Sequence, residues 1–231
     1  MGTLLLTGAA EGLGAALAET FAGAGYGVLG LSRTDRASGH LRRRVEQAGG
    51  SYIHLACDIT RPADVTAILR PFADRIDVLI HNAHVLTIKP FEETTAGEFE
   101  QAWRVACLGA MISVQTVVTH MAARQQGTII LTGATAALRG ASSFAAFASA
   151  KFALRGLAQS LAREFGPQGV HVAHVVLDGL IDEPQTDQRF GSSPAGRMNP
   201  QSIARCYLDL TIQQRAAWTH EMDLRPFSEP F

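Results

Sequence analysis

Short apolar runs recur along the chain, separated by stretches in which apolar residues return every three or four positions. The short runs lie at residues 3–7, 27–31, 51–57, 76–80, 128–132, 170–176 and 218–224. Each is too short for a stable helix and reads as a strand. The stretches at 12–24, 35–48, 61–73, 95–123, 143–166 and 200–213 carry helical periodicity. Two boundaries are marked locally. Thr95-Ala96-Gly97-Glu98 fits a capping box, and Gly166-Pro167 ends the helix before it because proline cannot continue one. Strands alternating with helices predict a single α/β domain over residues 1–231: a mostly parallel sheet, helices on both faces, right-handed crossovers. Residues 182–199 are rich in glycine, proline, serine and charge without a period. In such a sheet they fall beyond the carboxyl end of a strand, and read as a lid or substrate loop or simply as a surface loop. The last run, 218–224, alternates like an edge strand before a proline stop.

Composition narrows the class. Of 231 residues, 47% are hydrophobic and 18% charged, enough for a large core and unlike a disordered chain. A net charge of −1 gives no electrostatic case for a nucleic-acid or anionic-membrane partner; Arg42-Arg43-Arg44 reads as a solvated helix face. No apolar run nears the roughly 18 residues of a membrane span, and no basic segment precedes the first apolar run as in a signal peptide. Three cysteines in no metal-type spacing point to a reducing compartment, so the expected location is cytoplasmic and no metal site is expected.

The candidate chemistry begins at Thr7-Gly8-Ala9-Ala10-Glu11-Gly12-Leu13-Gly14, a glycine-rich turn between an apolar strand and a helix. Glycines allow a tight turn and close backbone approach, and a helix start offers unpaired N–H groups and partial positive charge, which together suit a pyrophosphate. Thr7, Gly8, Gly12, Leu13 and Gly14 are thus candidate cofactor contacts. The second strand runs into Ser32-Arg33-Thr34-Asp35. An acid about 20 residues after the turn would bind a ribose, whereas an arginine there suits a 2′-phosphate. Arg33 sits directly after the strand and Asp35 in the next turn, which favours NADP(H) over NAD(H). Glu11 weighs against it, and Arg33 also reads as a plain surface arginine. Asp58, closing the third strand, either accepts from an adenine amino group or caps the helix that begins at Arg61-Pro62.

With Asp58, Asn82-Ala83, the stretch 128–140, Lys151 and Asp178-Gly179 added to the turn, the chain resembles the short-chain dehydrogenase/reductase family along nearly its whole length. The resemblance implies a Rossmann-type doubly wound sheet of seven strands that binds NAD(P)(H). It also implies a homodimer or homotetramer through helices 95–123 and 143–166, where Ala106, Gly109 and Ala110 would permit close approach, although core packing within one chain explains them too. Asn82, Gly179 and Ile181 are carried over as cofactor contacts, and Lys151 as the ribose-binding lysine whose donors suit two hydroxyls.

The resemblance also defines departures. The family's tyrosine acid/base lies four residues before its lysine, on one helix face; here that position is Phe147. Its serine falls on Ala134 and the asparagine of its fourth helix on Ala106. The glycine of Asn-Ala-Gly is His84, and the proline-glycine after the sixth strand is Asp178-Gly179. A positioned general acid is worth roughly 10² to 10⁴ in rate, so ordinary carbonyl reduction needs a replacement donor. Asp178, His84 and Thr135 are the candidates; Ser149 lies on the wrong helix face. Three readings follow: an NADP(H)-dependent oxidoreductase with a substituted donor or a substrate that needs none, a silent dinucleotide-binding sensor or assembly protein, and a non-redox enzyme reusing the pocket.

Overall fold

Thr3–Thr7 (β1) lies mid-sheet, with Gly27–Ser32 (β2) bonded to one edge and Val78–His81 (β4) to the other. Tyr52–Ala56 (β3) lies outside β2; Gly127–Thr132 (β5), Val170–Leu177 (β6) and Glu221–Leu224 (β7) follow outside β4. In this computed structural model, which describes residues 2–191 and 196–228, the order is β3-β2-β1-β4-β5-β6-β7 and every neighbouring pair is parallel. Strand order reverses between β1 and β4, and their carboxyl ends open a crevice there, as in doubly wound sheets generally.

The helices are Leu13–Gly23 (α1), Ser38–Gln47 (α2), Pro62–Leu69 (α3), Ala96–Trp103 (α4), Gly109–Ala123 (α5), Ala145–Phe165 (α6), Pro184–Phe190 (α7) and Pro200–Thr211 (α8). Side chains alternate across a strand, so strands β1 to β6 feed two cores, while β7 adds Met222 and Leu224 to one of them. Leu4, Leu6 and Ile130 meet Leu17 and Phe21 of α1, Leu41 of α2 and Tyr207 of α8. Leu5, Ile129 and Leu131 meet Leu69 of α3, Val114 and Val117 of α5 and Leu154 of α6. Both faces are therefore covered, and burying each such side chain contributes about 1.5–3 kcal/mol.

The ends of these elements have local causes. Thr95 accepts from the Glu98 N–H at 3.2 Å while the Glu98 carboxylate accepts from the Thr95 N–H at 3.0 Å, the expected capping box. Helix α3 stops at Leu69 rather than 73: Arg70 keeps helical backbone and bonds back to the Thr66 carbonyl, but Pro71 has no N–H to continue the ladder. Strand β7 starts at Glu221 rather than 218. Trp218 instead stacks on His171, ring centroids 4.9 Å apart, after a 3₁₀ turn at Arg215–Ala217. The segment 182–199 is not simply loop. It opens into α7, too short to show a period, and Met198 returns to bridge Ile181; its residues 192–195 lie outside the described residues.

The stretch 95–123 runs as α4 and α5 joined by a π-helical turn, Arg104–Leu108. Contrary to the apolar-run reading, this rod is long and apolar enough by length and composition to cross a bilayer. Here Val105, Ala106, Ala110, Val114, Val117 and Met121 are buried against the rest of the chain, so a sheet-covering helix accounts for its hydropathy. The small residues expected to allow close approach are used internally: Ala106 packs with Ala102, Ala146 and Ala150, and a Cβ on Gly109 would meet Ile59 at 2.7 Å.

Candidate active site

The cleft at the carboxyl ends of the strands has a volume of about 740 Å³. Its floor is the glycine turn. Gly8 takes φ +76° and donates its N–H to the Leu31 carbonyl at 2.9 Å. A Cβ there would lie 2.8 Å from the Ala83 nitrogen, so only glycine lets β1 turn beside Asn82-Ala83. At Gly14 a Cβ would lie 2.7 Å from the Gly8 carbonyl, which is why helix and turn can touch. Thr7 is fully buried and does not line the cleft; its hydroxyl meets His81 Nδ1 at 2.9 Å.

Arg33 follows β2 directly, exposed, and lines the cleft with Asp58. Asp35 lies beyond, and its carbonyl accepts from the Ser38 N–H. Asp58 does not cap α3. Its Oδ1 accepts from the N–H and hydroxyl of Thr60 at 2.9 and 2.8 Å, closing a turn before the helix. Burial raises its pKa, but those two bonds and the charges of Arg33 and Arg61 outweigh it, and the carboxyl stays below its ordinary range.

Lys151 is 2% exposed and does not snorkel outward. Its Nζ donates to the Thr132 carbonyl at 2.7 Å and lies 5.6 Å from the centre of the Phe147 ring, one turn earlier on the same face. Burial pulls the ammonium down to about 7. Around it stand the positions that the resemblance assigns to acid/base groups. Phe147 (9% exposed) packs with Ala136 and Ala148, Ala134 lines the cleft, and Ala106 lies buried in the π turn. His81 Nε2 faces the Val105 and Ala106 carbonyls without closing a normal hydrogen bond, and burial first, then Lys151, lowers its pKa to about 3.

The three candidate donors fare differently. The Thr135 hydroxyl donates to Asp178 Oδ1 at 2.6 Å, and Arg225 pairs with Asp178 Oδ2 at 3.2 Å, so both carboxylate oxygens are engaged and Asp178 braces the loop. His84 stands exposed in the cleft wall, its Nδ1 3.2 Å from the Asn82 carbonyl and its ring edge-on to Phe147 with centroids 6.0 Å apart. Gly179 admits the C-terminal segment, since a Cβ would lie 2.7 Å from Pro226 Cδ. Ile181 lines the cleft between backbone bonds that tie Leu180 and Asp182 to Met198.

Three residues of this region carry no local signal. Arg225 and Tyr207, which donates to the Thr132 hydroxyl at 3.1 Å, come from distant elements. Glu183 lines the cleft and accepts from the Leu13 N–H at 3.2 Å. Gly12, a candidate contact, lies beneath that carboxylate rather than in the cleft wall. Glycine cradle, helix start and buried lysine together fit a nicotinamide dinucleotide.

Comparisons with known proteins agree on the class. The short chain dehydrogenase family model matches residues 2–190. A short-chain dehydrogenase from Rhodopseudomonas palustris is 36% identical, with 98% of this chain and 99% of that one covered and a TM-score of 0.84. A metagenomic short-chain oxidoreductase solved in complex with NADP is 25% identical over 99% and 98%, also at 0.84. Among curated proteins, the 3-oxoacyl-[acyl-carrier-protein] reductase of Escherichia coli is 29% identical over 94% of this chain and 92% of its own. The chain belongs to the short-chain dehydrogenase family and is an oxidoreductase of that type.

Proposed function

We propose that this protein binds NADP(H) in the cleft and is a short-chain oxidoreductase with an atypical active site. Its hydride-transfer substrate makes little demand on an enzymic acid, as an activated alkene or an iminium-like carbon does. One observation carries the reading: a buried lysine faces the cleft four residues from a phenylalanine, while the other acid/base positions are alanines. The glycine turn would hold the pyrophosphate, Arg33 the 2′-phosphate, Asp58 the adenine and Lys151 the nicotinamide ribose. The bound cofactor would supply or accept the hydride; the protein would orient substrate and exclude water. Of the candidate donors, Asp178 and Thr135 bind each other, which leaves His84. With Nδ1–H assigned to the Asn82 carbonyl, His84 Nε2 faces a reacting atom as an acceptor. It donates only from the protonated ring, which desolvation in the cleft first and then Lys151 oppose, lowering its pKa to about 4.

A homodimer or homotetramer through α4–α5 and α6 belongs to the same reading, supported by Phe99, Trp103, Met111 and Phe152 standing exposed on those helices. Analytical ultracentrifugation checks it. Mutual engagement of Thr135 and Asp178 also favours a second reading, a dinucleotide-binding protein without turnover. Calorimetric titration with NADPH and NADH tests both. NADPH binding lost in Lys151→Ala supports the site, and a screen of activated alkenes and iminium ions then separates enzyme from silent binder. No binding of either nucleotide overturns both.

A further inference from the structure

The first turn of α1 is already engaged by an anion of the chain itself. Glu183, at the entrance to α7, places Oε2 3.2 Å from the Leu13 N–H. It lies so close to the glycine turn that a Cβ on Gly12 would clash with that oxygen. Helix α1 has no side-chain cap from its own Gly12, so a carboxylate 170 positions away fills that role. Unpaired N–H groups and the helix dipole make this the end of the cleft that attracts negative charge.

We propose that Glu183 is an internal competitor for the dinucleotide pyrophosphate at the start of α1, so that cofactor enters only as Glu183 withdraws or takes up a proton. The inference rests on the NADP(H)-binding reading above. One N–H cannot serve a carboxylate and a phosphate fully at once, and two anions against the same turn repel. Protonation removes the repulsion and turns Glu183 from an acceptor into a hydrogen-bond donor suited to a phosphate oxygen.

The charges around Glu183 do not neutralise it. On the turn, Glu11 faces His40 of α2 at 3.8 Å; Arg44 of α2 is paired with Glu19. Beside Glu183, Asp182 lies 3.9 Å from Arg197, which also pairs with Asp187. Across the cleft stand Arg33, Asp58 and Lys151. Among the described residues no ion pair includes Glu183. Burial accordingly raises its pKa, and the Leu13 N–H offsets that only in part.

The test is calorimetric titration of the full chain with NADPH from about pH 5.5 to 8.5 in buffers of different ionisation enthalpy, for wild type, Glu183→Gln and Glu183→Ala. Wild type is expected to take up a proton on binding and to lose up to about tenfold in affinity per pH unit above the Glu183 pKa, the linkage of one proton. Both variants are expected to bind about tenfold tighter at pH 8 and to lose this slope. The 2′-phosphate itself titrates near pH 6, so the difference between variants and wild type is the readout. Variants that follow the wild-type profile throughout overturn the competition while leaving the cofactor reading intact. Cooperatively melting protein that binds no dinucleotide in any variant overturns the cofactor reading and this inference with it.

Discussion

The hydroxyl of Thr135 and the carboxylate of Asp178 are each other's partner, 2.6 Å apart. Arg225 completes the pair from the C-terminal segment. Asp178 is only 5% exposed, so this is a buried polar join between the β5 and β6 loops. Thr135→Val removes a charge-assisted bond from a buried acid and is expected to cost about 1–2 kcal/mol in denaturant unfolding. NADPH affinity should stay within about threefold. A collapse of hydride transfer at unchanged stability would instead make Thr135 a proton donor.

Phe147→Tyr with Ala134→Ser places at these positions the two acid/base groups that the family resemblance assigns to them. Ala134 already has the extended backbone that a serine accepts. The double variant is expected to gain about 10² to 10⁴ in carbonyl reduction over wild type, followed as NADPH consumption with a panel of ketones. No gain with cofactor still bound would mean that the cleft has diverged beyond these positions.

Lys151→Met is expected to separate stability from binding. Burial sets the folded pKa at about 7, below the ordinary 10.5, so the unfolded chain holds more protons between those values. Lys151 therefore destabilises the free protein fully below about pH 7, and the penalty fades as pH rises towards 10.5. The methionine variant should be about 1–3 kcal/mol more stable at pH 7, yet should lose NADPH binding by calorimetry. A less stable variant would show that the bond to the Thr132 carbonyl outweighs the burial penalty.

Much of this arrangement was legible in the chain. Periodicity located the strands that frame the cleft, and the spacing from Phe147 to Lys151 put both on one helix face before any coordinates. What escaped was long-range or too short to repeat. Arg225 reaches Asp178 from beyond β7, Glu183 reaches Leu13 across 170 positions, and α7 has seven residues, about two turns. The π turn was equally silent, since it adds one residue to a helical turn without altering which residues are apolar. Asp58 shows a different limit. An acid before a proline suits a helix cap, but the carboxylate turned to the nearer Thr60 donors.

Acid should loosen the fold before it reaches the carboxylates. His81 and His174 are buried, and their pKa values fall from the ordinary 6.5 to about 3 and about 4, in both cases chiefly through burial. With folded values below unfolded ones, the unfolded chain takes protons first as pH drops below 6.5. Each histidine then removes about 1.4 kcal/mol per pH unit until its folded pKa is reached. Melting temperatures should fall between pH 7 and pH 5, and His174→Gln should flatten the slope. Equal melting at the two pH values would show these rings to be protonated in the folded state.

Among the described residues strand β7 pairs with β6 alone, and Arg225 and Pro226 follow it directly. In a chain made from its N-terminus, the glycine turn, Arg33 and Lys151 are all synthesised before the residues that fasten Asp178 and back Gly179. The two ends of the cleft are therefore synthesised at different times. A nascent chain can form the glycine-turn end while the opposite end still awaits β7 and the two residues that follow it.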